Sequence, residues 1–172
     1  MGTSVVTTAY GLTECGGLAT ICDPDDDAAT IAGTSGKAIP GTEVCIMDPT
    51  GRHLPPGEPG EIWLRGVTLM ERYCGDAEAT AKAMQGGWFH TGDLATMEPS
   101  GHIYIKGRIK NMLLGANGQN VYPEEIEDKL NSLALVSESV VIQKGNKLIG
   151  LVHPDYDEAQ TLNLGEKELM DI

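Results

Sequence analysis

Hydrophobic and polar positions change rhythm along this chain. Ser4-Val5-Val6-Thr7-Thr8-Ala9-Tyr10 is β-branched and aromatic, which predicts a short strand. Gly11 then permits a sharp turn and the close approach of another group. Residues 23–42 hold no sustained period and read as loop. From 42 to 107, short apolar stretches alternate with turn residues. Strands are predicted at 42–47 and 61–65, with Pro49, Gly51, Pro55-Pro56-Gly57 and Pro59-Gly60 between them. Residues 76–84 predict a short helix with Asp76 as N-cap. Residues 94–98 and 102–106 flank Pro99-Ser100-Gly101, a hairpin signal.

The pattern changes at Lys110. Pro123 suits a first helical turn, and Glu124, Glu125 and Glu127 sit near its positive dipole end. Ile126, Leu130 and Leu133 recur at helical spacing, so 124–133 predicts an amphipathic helix. Two apolar strands, 139–143 and 147–152, flank Gly145-Asn146 as a second hairpin. The tail from 155 is polar and acidic, with a weak helical pattern at its end. The expected fold is α+β: a distorted antiparallel β portion over 1–109, then a small α+β portion over 110–172.

Composition narrows the function classes. A chain of 172 residues suits one ordinary domain or two small ones. Gly is abundant and aromatics are scarce, which favours turns and tight backbone passages over a large aromatic core. The formal charge of −13 argues against a nucleic-acid or anionic-membrane surface. It leaves room for a local basic site, and Lys106, Arg108 and Lys110 cluster within five residues. Cys15, Cys22, Cys45 and Cys74 show neither zinc nor disulfide spacing, and read as buried or half-buried free thiols in a reducing cytoplasm. No apolar run approaches about 18 residues, so no transmembrane helix is expected. The first residues lack the features of a signal peptide or a myristoylation site.

Two familiar ligand loops fail on inspection. Asp23-Pro24-Asp25-Asp26-Asp27 begins like a calcium loop, but Ala28 and Thr34 stand where Gly and Glu are needed. Gly33-Thr34-Ser35-Gly36-Lys37 lacks the first Gly of a phosphate loop, and Ala38 replaces its Ser/Thr. Other residues have usable chemistry. The Thr13 hydroxyl can donate to a phosphoryl oxygen, Glu14 is a hard ligand for Mg²⁺, and Tyr10 offers a flat face to a base. The plainer reading of Thr13-Glu14 is a loop cap. Asp93 can accept from vicinal hydroxyls. The fixed fork of Arg108 suits ribose or phosphate oxygens, or else one of many nearby acids. His90, beside Trp88 and Phe89, reads as structural.

Four motifs in order add to this: Tyr10-Gly11-Leu12-Thr13-Glu14, Trp88-Phe89-His90-Thr91-Gly92-Asp93, Gly107-Arg108-Ile109-Lys110, and Tyr122-Pro123-Glu124-Glu125-Ile126-Glu127. Together they resemble the adenylate-forming (AMP-binding) superfamily, over nearly the whole chain. The resemblance implies activation of a carboxylic acid by ATP with Mg²⁺, then transfer to the thiol of CoA, releasing AMP. It implies that Tyr10 and Gly11 lie at the adenine, Thr13 at the phosphate, Glu14 on the metal, and Asp93 and Arg108 on the ribose. Lys110 falls at the family hinge, and Gln119 matches a position near the adenylate. Leu114 stands where many aryl-CoA ligases carry Lys, which looks more like the fatty-acyl-CoA ligases. The family's Ser/Thr/Gly-rich phosphate loop is expected upstream and its late Lys downstream. The chain is therefore expected to be a C-terminal fragment, inactive alone, of a cytoplasmic fatty-acid–CoA ligase. Its truncated face near residues 1–10 is expected to self-associate. Three alternatives stay open: an adenylation domain that loads a carrier protein, a non-catalytic nucleotide-binding relative, and a plain β-rich interaction domain whose motifs match by chance.

Overall fold

The computed structural model describes residues 6–115, 119–145, 147–162 and 164. The chain divides into two compact units, Met1–Ile109 and Lys110–Ile172. The first contains β1 (Ala9–Tyr10), β2 (Thr20–Ile21), α1 (Ala28–Gly33), β3 (Lys37–Ala38), β4 (Thr42–Met47), β5 (Gly60–Gly66), α2 (Ala77–Ala83), β6 (Met84–Gln85), β7 (Trp88–Met97) and β8 (Ile103–Arg108). Strands β1, β2 and β3 form one antiparallel sheet. A second runs β4-β5-β7-β6, with β8 also paired to β7. The architecture is α+β and its pairings are antiparallel, as expected.

Alternation sets the core. On β5, Ile62 and Leu64 point inward with no exposed surface, while Trp63 and Arg65 take the other face. Arg65 there lies over the Trp88 ring and pairs with Glu43. Ile46, Phe89, Ala95 and Ile103 complete the apolar cluster with Cys15 and Ala19. Each large side chain buried this way contributes roughly 1.5–3 kcal/mol. Cys15 and Ala19 matter for function, because they tie the segment after β1 into the core of the larger sheet.

Several elements differ from the sequence reading. The strand expected over 4–10 is limited to β1, with residues 4 and 5 outside the described residues. Before β1, Thr7 and Thr8 donate their hydroxyls to Cys22 O and Ile31 O, and Thr8 O accepts from Cys22 N at 2.9 Å. The predicted loop over 23–42 holds α1, whose N-cap Asp27 accepts from Thr30 N, and β3. Helix α2 matches its prediction, with Asp76 accepting from Ala79 N at 2.8 Å. Cys74 is exposed rather than half-buried. Val6 is exposed, and residues 1–5 lie outside the described residues.

The turn after β4 is held by one carboxylate. Asp48 Oδ1 accepts from Thr50 Oγ1 (2.6 Å), Thr50 N (2.8 Å) and Arg52 N (3.0 Å), and Oδ2 accepts from Arg52 Nε (3.1 Å). These donors, the Thr50 hydroxyl foremost, pull the carboxyl from 3.8 down to about 2. The folded pKa is depressed, so the stabilisation is complete above 3.8 and is lost as pH falls toward 2. We expect Asp48→Asn to lower the urea midpoint at about pH 6, with the gap to wild type closing below about pH 4. A gap independent of pH would reject this role.

The second unit holds β9 (Leu113–Leu114), β10 (Asn120–Val121), α3 (Pro123–Asn131), β11 (Val136–Lys144), β12 (Lys147–Pro154) and α4 (Tyr156–Thr161). Pairs β9–β10 and β11–β12 are antiparallel hairpins. Helix α3 begins at Pro123 and stops at Asn131, short of the predicted 133, and Leu133 is exposed. Glu127 on α3 accepts from Val141 N at 2.7 Å, fixing helix to hairpin. Tail residues form α4, capped by Asp155, near the start of the tail; the predicted helical end lies outside the described residues. Among the described residues no helix is long and apolar enough to cross a membrane.

Candidate functional site

Three predicted residues meet in the first unit. Asp93 on β7 stands opposite Arg108 on β8 in register. Its Oδ1 accepts from Arg108 Nε at 3.0 Å. Its Oδ2 accepts from the Tyr10 hydroxyl at 2.7 Å, across 83 residues of sequence. Arg108 also donates to Thr91 O at 3.2 Å. The Asp93 side chain is 15% exposed and that of Arg108 50%, so the carboxylate is held from within while the guanidinium reaches the surface. Burial, then the bond to Asp93, pushes the Tyr10 phenol well above its ordinary range. Tyr10 is therefore a donor throughout the neutral range.

A kink in β7 aims Asp93. Gly92 adopts φ +73°, a left-handed conformation that favours glycine. Thr91 Oγ1 donates to Ile62 O at 2.8 Å and accepts from Asp93 N at 3.0 Å. The β5–β7 register shifts at the same level, between Glu61 and Trp63.

Thr13 and Glu14 lie on a single 3-10 turn, Thr13–Cys15, ended by Gly16 at φ +73°. Thr13 is exposed. Glu14 Oε1 accepts from the Tyr73 hydroxyl at 2.8 Å, and its carbonyl accepts from Met70 N at 2.7 Å. Burial and that bond push the Tyr73 phenol up. Gly11 lets the chain double back, because a Cβ there would overlap the carbonyl of Gly17. A cleft of about 500 Å³ lies along Tyr73, Glu61, Lys82, His90 and Thr91-Gly92. Among the described residues no group of three or more His, Cys, Asp or Glu could cage a metal. Glu14 is a hard oxygen donor, which suits a Mg²⁺ whose other ligands are phosphates and water.

His90 packs its ring 3.9 Å from that of Trp63, with Nδ1 3.5 Å from Glu61. Lys110 and Gln119 belong to the second unit. Lys110 is exposed on the short turn Ile109–Asn111. Gln119 accepts from Gly115 N at 2.8 Å through its backbone carbonyl, next to the β9–β10 pairing. The structure thus joins Tyr10, Asp93 and Arg108, and joins Glu14 to Tyr73. Sequence reasoning missed Tyr73, Thr91 and Glu61. Thr91 lay inside a quoted motif, whereas Tyr73 is 59 residues from Glu14 and carries no local signal.

A family model described as AMP-binding enzyme matches residues 1–74. The chain is 43% identical over 152 residues to a methyl-dioxo-octahydroindenyl-propanoyl:CoA ligase of Rhodococcus jostii (strain RHA1), covering 88% of this chain and 27% of that protein. It is 41% identical over 138 residues to the fatty acid–acyl-carrier-protein ligase ScoC of Streptomyces coeruleorubidus, covering 77% of this chain and 26% of the relative. Among solved structures, ATP-bound MatB from Rhodopseudomonas palustris superposes with a TM-score of 0.79 at 31% identity, covering 96% of this chain and 33% of that chain. The chain spans about a quarter of the length of the curated relatives it matches.

Proposed function

Because this chain belongs to the AMP-binding enzyme family, we propose that it supplies the nucleotide-facing residues of an AMP-forming acid–thiol ligase. The observation that carries this reading is the Tyr10–Asp93–Arg108 constellation. A carboxylate with two held oxygens can exchange or extend its bonds toward vicinal ribose hydroxyls. An arginine half in solvent can meet a nucleotide oxygen.

In the proposed reaction a carboxylate oxygen attacks the α-phosphorus of ATP, and the bond to pyrophosphate breaks. The CoA thiol then attacks the acyl carbonyl, loses its proton, and displaces AMP. Asp93 and Arg108 hold the ribose, and Tyr10 with Gly11 borders the adenine. Thr13 donates to the phosphate, where charge builds in the transition state. Glu14 would hold Mg²⁺, which offsets phosphate charge. Residues 1–109 act as the last part of the large AMP-binding domain, and 110–172 as the small mobile domain. Lys110 serves as hinge and Gln119 approaches the adenylate. A hinge absorbs backbone rotation, so an exposed Lys110 side chain suits it.

Fatty acids are the acids we place first. The loop around Leu114 and Gln119 resembles fatty-acyl ligases, and ScoC is named for fatty acid. ScoC also favours a second reading, in which a carrier-protein thiol replaces CoA. The test is AMP release by the full-length natural protein with Mg·ATP and a panel of short, long and aromatic acids. AMP that needs both an acid and CoA supports the first reading. Acid-dependent pyrophosphate exchange without CoA turnover supports carrier loading, and silence throughout rejects both.

A further inference from the structure

Glu61 has no place in the four motifs, yet it touches the residue that aims Asp93. It lies at the start of β5, where the β5–β7 register shifts. Its Oε1 accepts from Gly92 N at 2.9 Å. Its Oε2 accepts from the Trp63 indole N–H at 2.8 Å, and lies 3.5 Å from His90 Nδ1. The side chain is 19% exposed. Gly92 is the left-handed residue immediately before Asp93, and a lone peptide in that conformation needs an external acceptor for its N–H.

The bonds form a relay through the sheet. The indole N–H of Trp63 and the His90 ring tilted against it hold the carboxylate of Glu61. That carboxylate fixes the Gly92 peptide. Thr91 braces the same kink from the other side through Ile62 O and Asp93 N. Asp93 then faces Tyr10 and Arg108. We propose that Glu61 is a positioning residue for nucleotide binding, acting through the Gly92 peptide on Asp93. The proposal rests on the nucleotide-binding reading above. It concerns orientation rather than contact, so its energetic effect should vanish once Asp93 is gone.

The experiment measures AMP Kd by calorimetry, and KM for ATP and for CoA, in the full-length natural protein. Glu61→Ala should weaken AMP about tenfold, the size of one charge-assisted hydrogen bond. The ATP KM should rise while the CoA KM stays put. In an Asp93→Ala background, Glu61→Ala should change AMP affinity by less than roughly twofold. Glu61→Gln keeps the shape but leaves one acceptor oxygen for two donors. It should bind AMP less well than wild type, and Trp63→Phe in the same chain should restore binding by freeing that oxygen for Gly92. Additive losses in the cycle, or wild-type affinity in Glu61→Gln, overturn the proposal. A wild-type protein that binds no AMP overturns the underlying reading instead.

Discussion

Replacing Asp93 with alanine weakens AMP binding by the full-length natural protein by about 10- to 100-fold. Three arguments set that size. Hydrogen bonds to a charged group contribute roughly 1.5–3 kcal/mol, and each 1.4 kcal/mol is tenfold in affinity. Asp93 is the point where β7, β8 and the end of β1 converge, so its loss also frees Tyr10 and Arg108 from their shared partner. Arg108 would retain its bond to Thr91 O, so a residual charge stays at the site and binding weakens without vanishing. Tyr10→Phe removes only the hydroxyl and should cost less than Asp93→Ala, because Arg108 still pairs with the carboxylate. Calorimetric titration of AMP checks both variants against thermal unfolding of the same proteins. An Asp93→Ala protein with unchanged Kd and unchanged stability would remove Asp93 from the site.

How much of this could be read in advance depends on how local each interaction is. Strand β4 was legible because its short apolar run and the turn residues flanking it act within a few positions. Helix α2 was legible because its cap is Asp76, adjacent to it. Helix α1 was not, since six residues without an apolar stripe give no periodicity, and only the Asp27 cap marks it. The site divides the same way. Asp93 and Arg108 stood in motifs with chemistry that residue type alone suggests. Their partnership with Tyr10 is a product of pairing 83 residues apart, beyond any local rule. Tyr73 reaching Glu14, and Glu61 reaching Gly92, are likewise tertiary facts. Residue types in sequence thus announce candidates, while sheet register decides which of them hold one another.

The Gly11→Ala variant should lose about 3 kcal/mol of stability, the upper part of the usual overpacking range. The added methyl would overlap the Gly17 carbonyl, and would sit 2.7 Å from Leu18 Cα. All of these atoms are backbone, so no side-chain rotation relieves the clash. Nor can the loop swing outward freely. Ala19 N donates to Tyr10 O at 2.8 Å and Gly17 N to Leu12 O at 2.9 Å, closing the loop on both sides. Ala19 is fully buried and Cys15 nearly so, in the cluster with Ile62, Leu64 and Phe89. Opening the loop would drag both from the core, and keeping it closed would distort Thr13 and Glu14. Either route also shifts Tyr10, one residue upstream, so nucleotide affinity should fall together with stability. Gly33→Ala is the matched control: a Cβ there meets nothing within 4 Å, and α1 has no need of a glycine at that point. It should be neutral or stabilising by about 0.5 kcal/mol. Urea unfolding of the two variants separates the cases, because loss of a glycine acting only through chain entropy would stabilise both. A Gly11→Ala protein as stable as wild type would mean that the Thr13–Glu14 turn is not held by the close passage of Gly11 beneath Gly17.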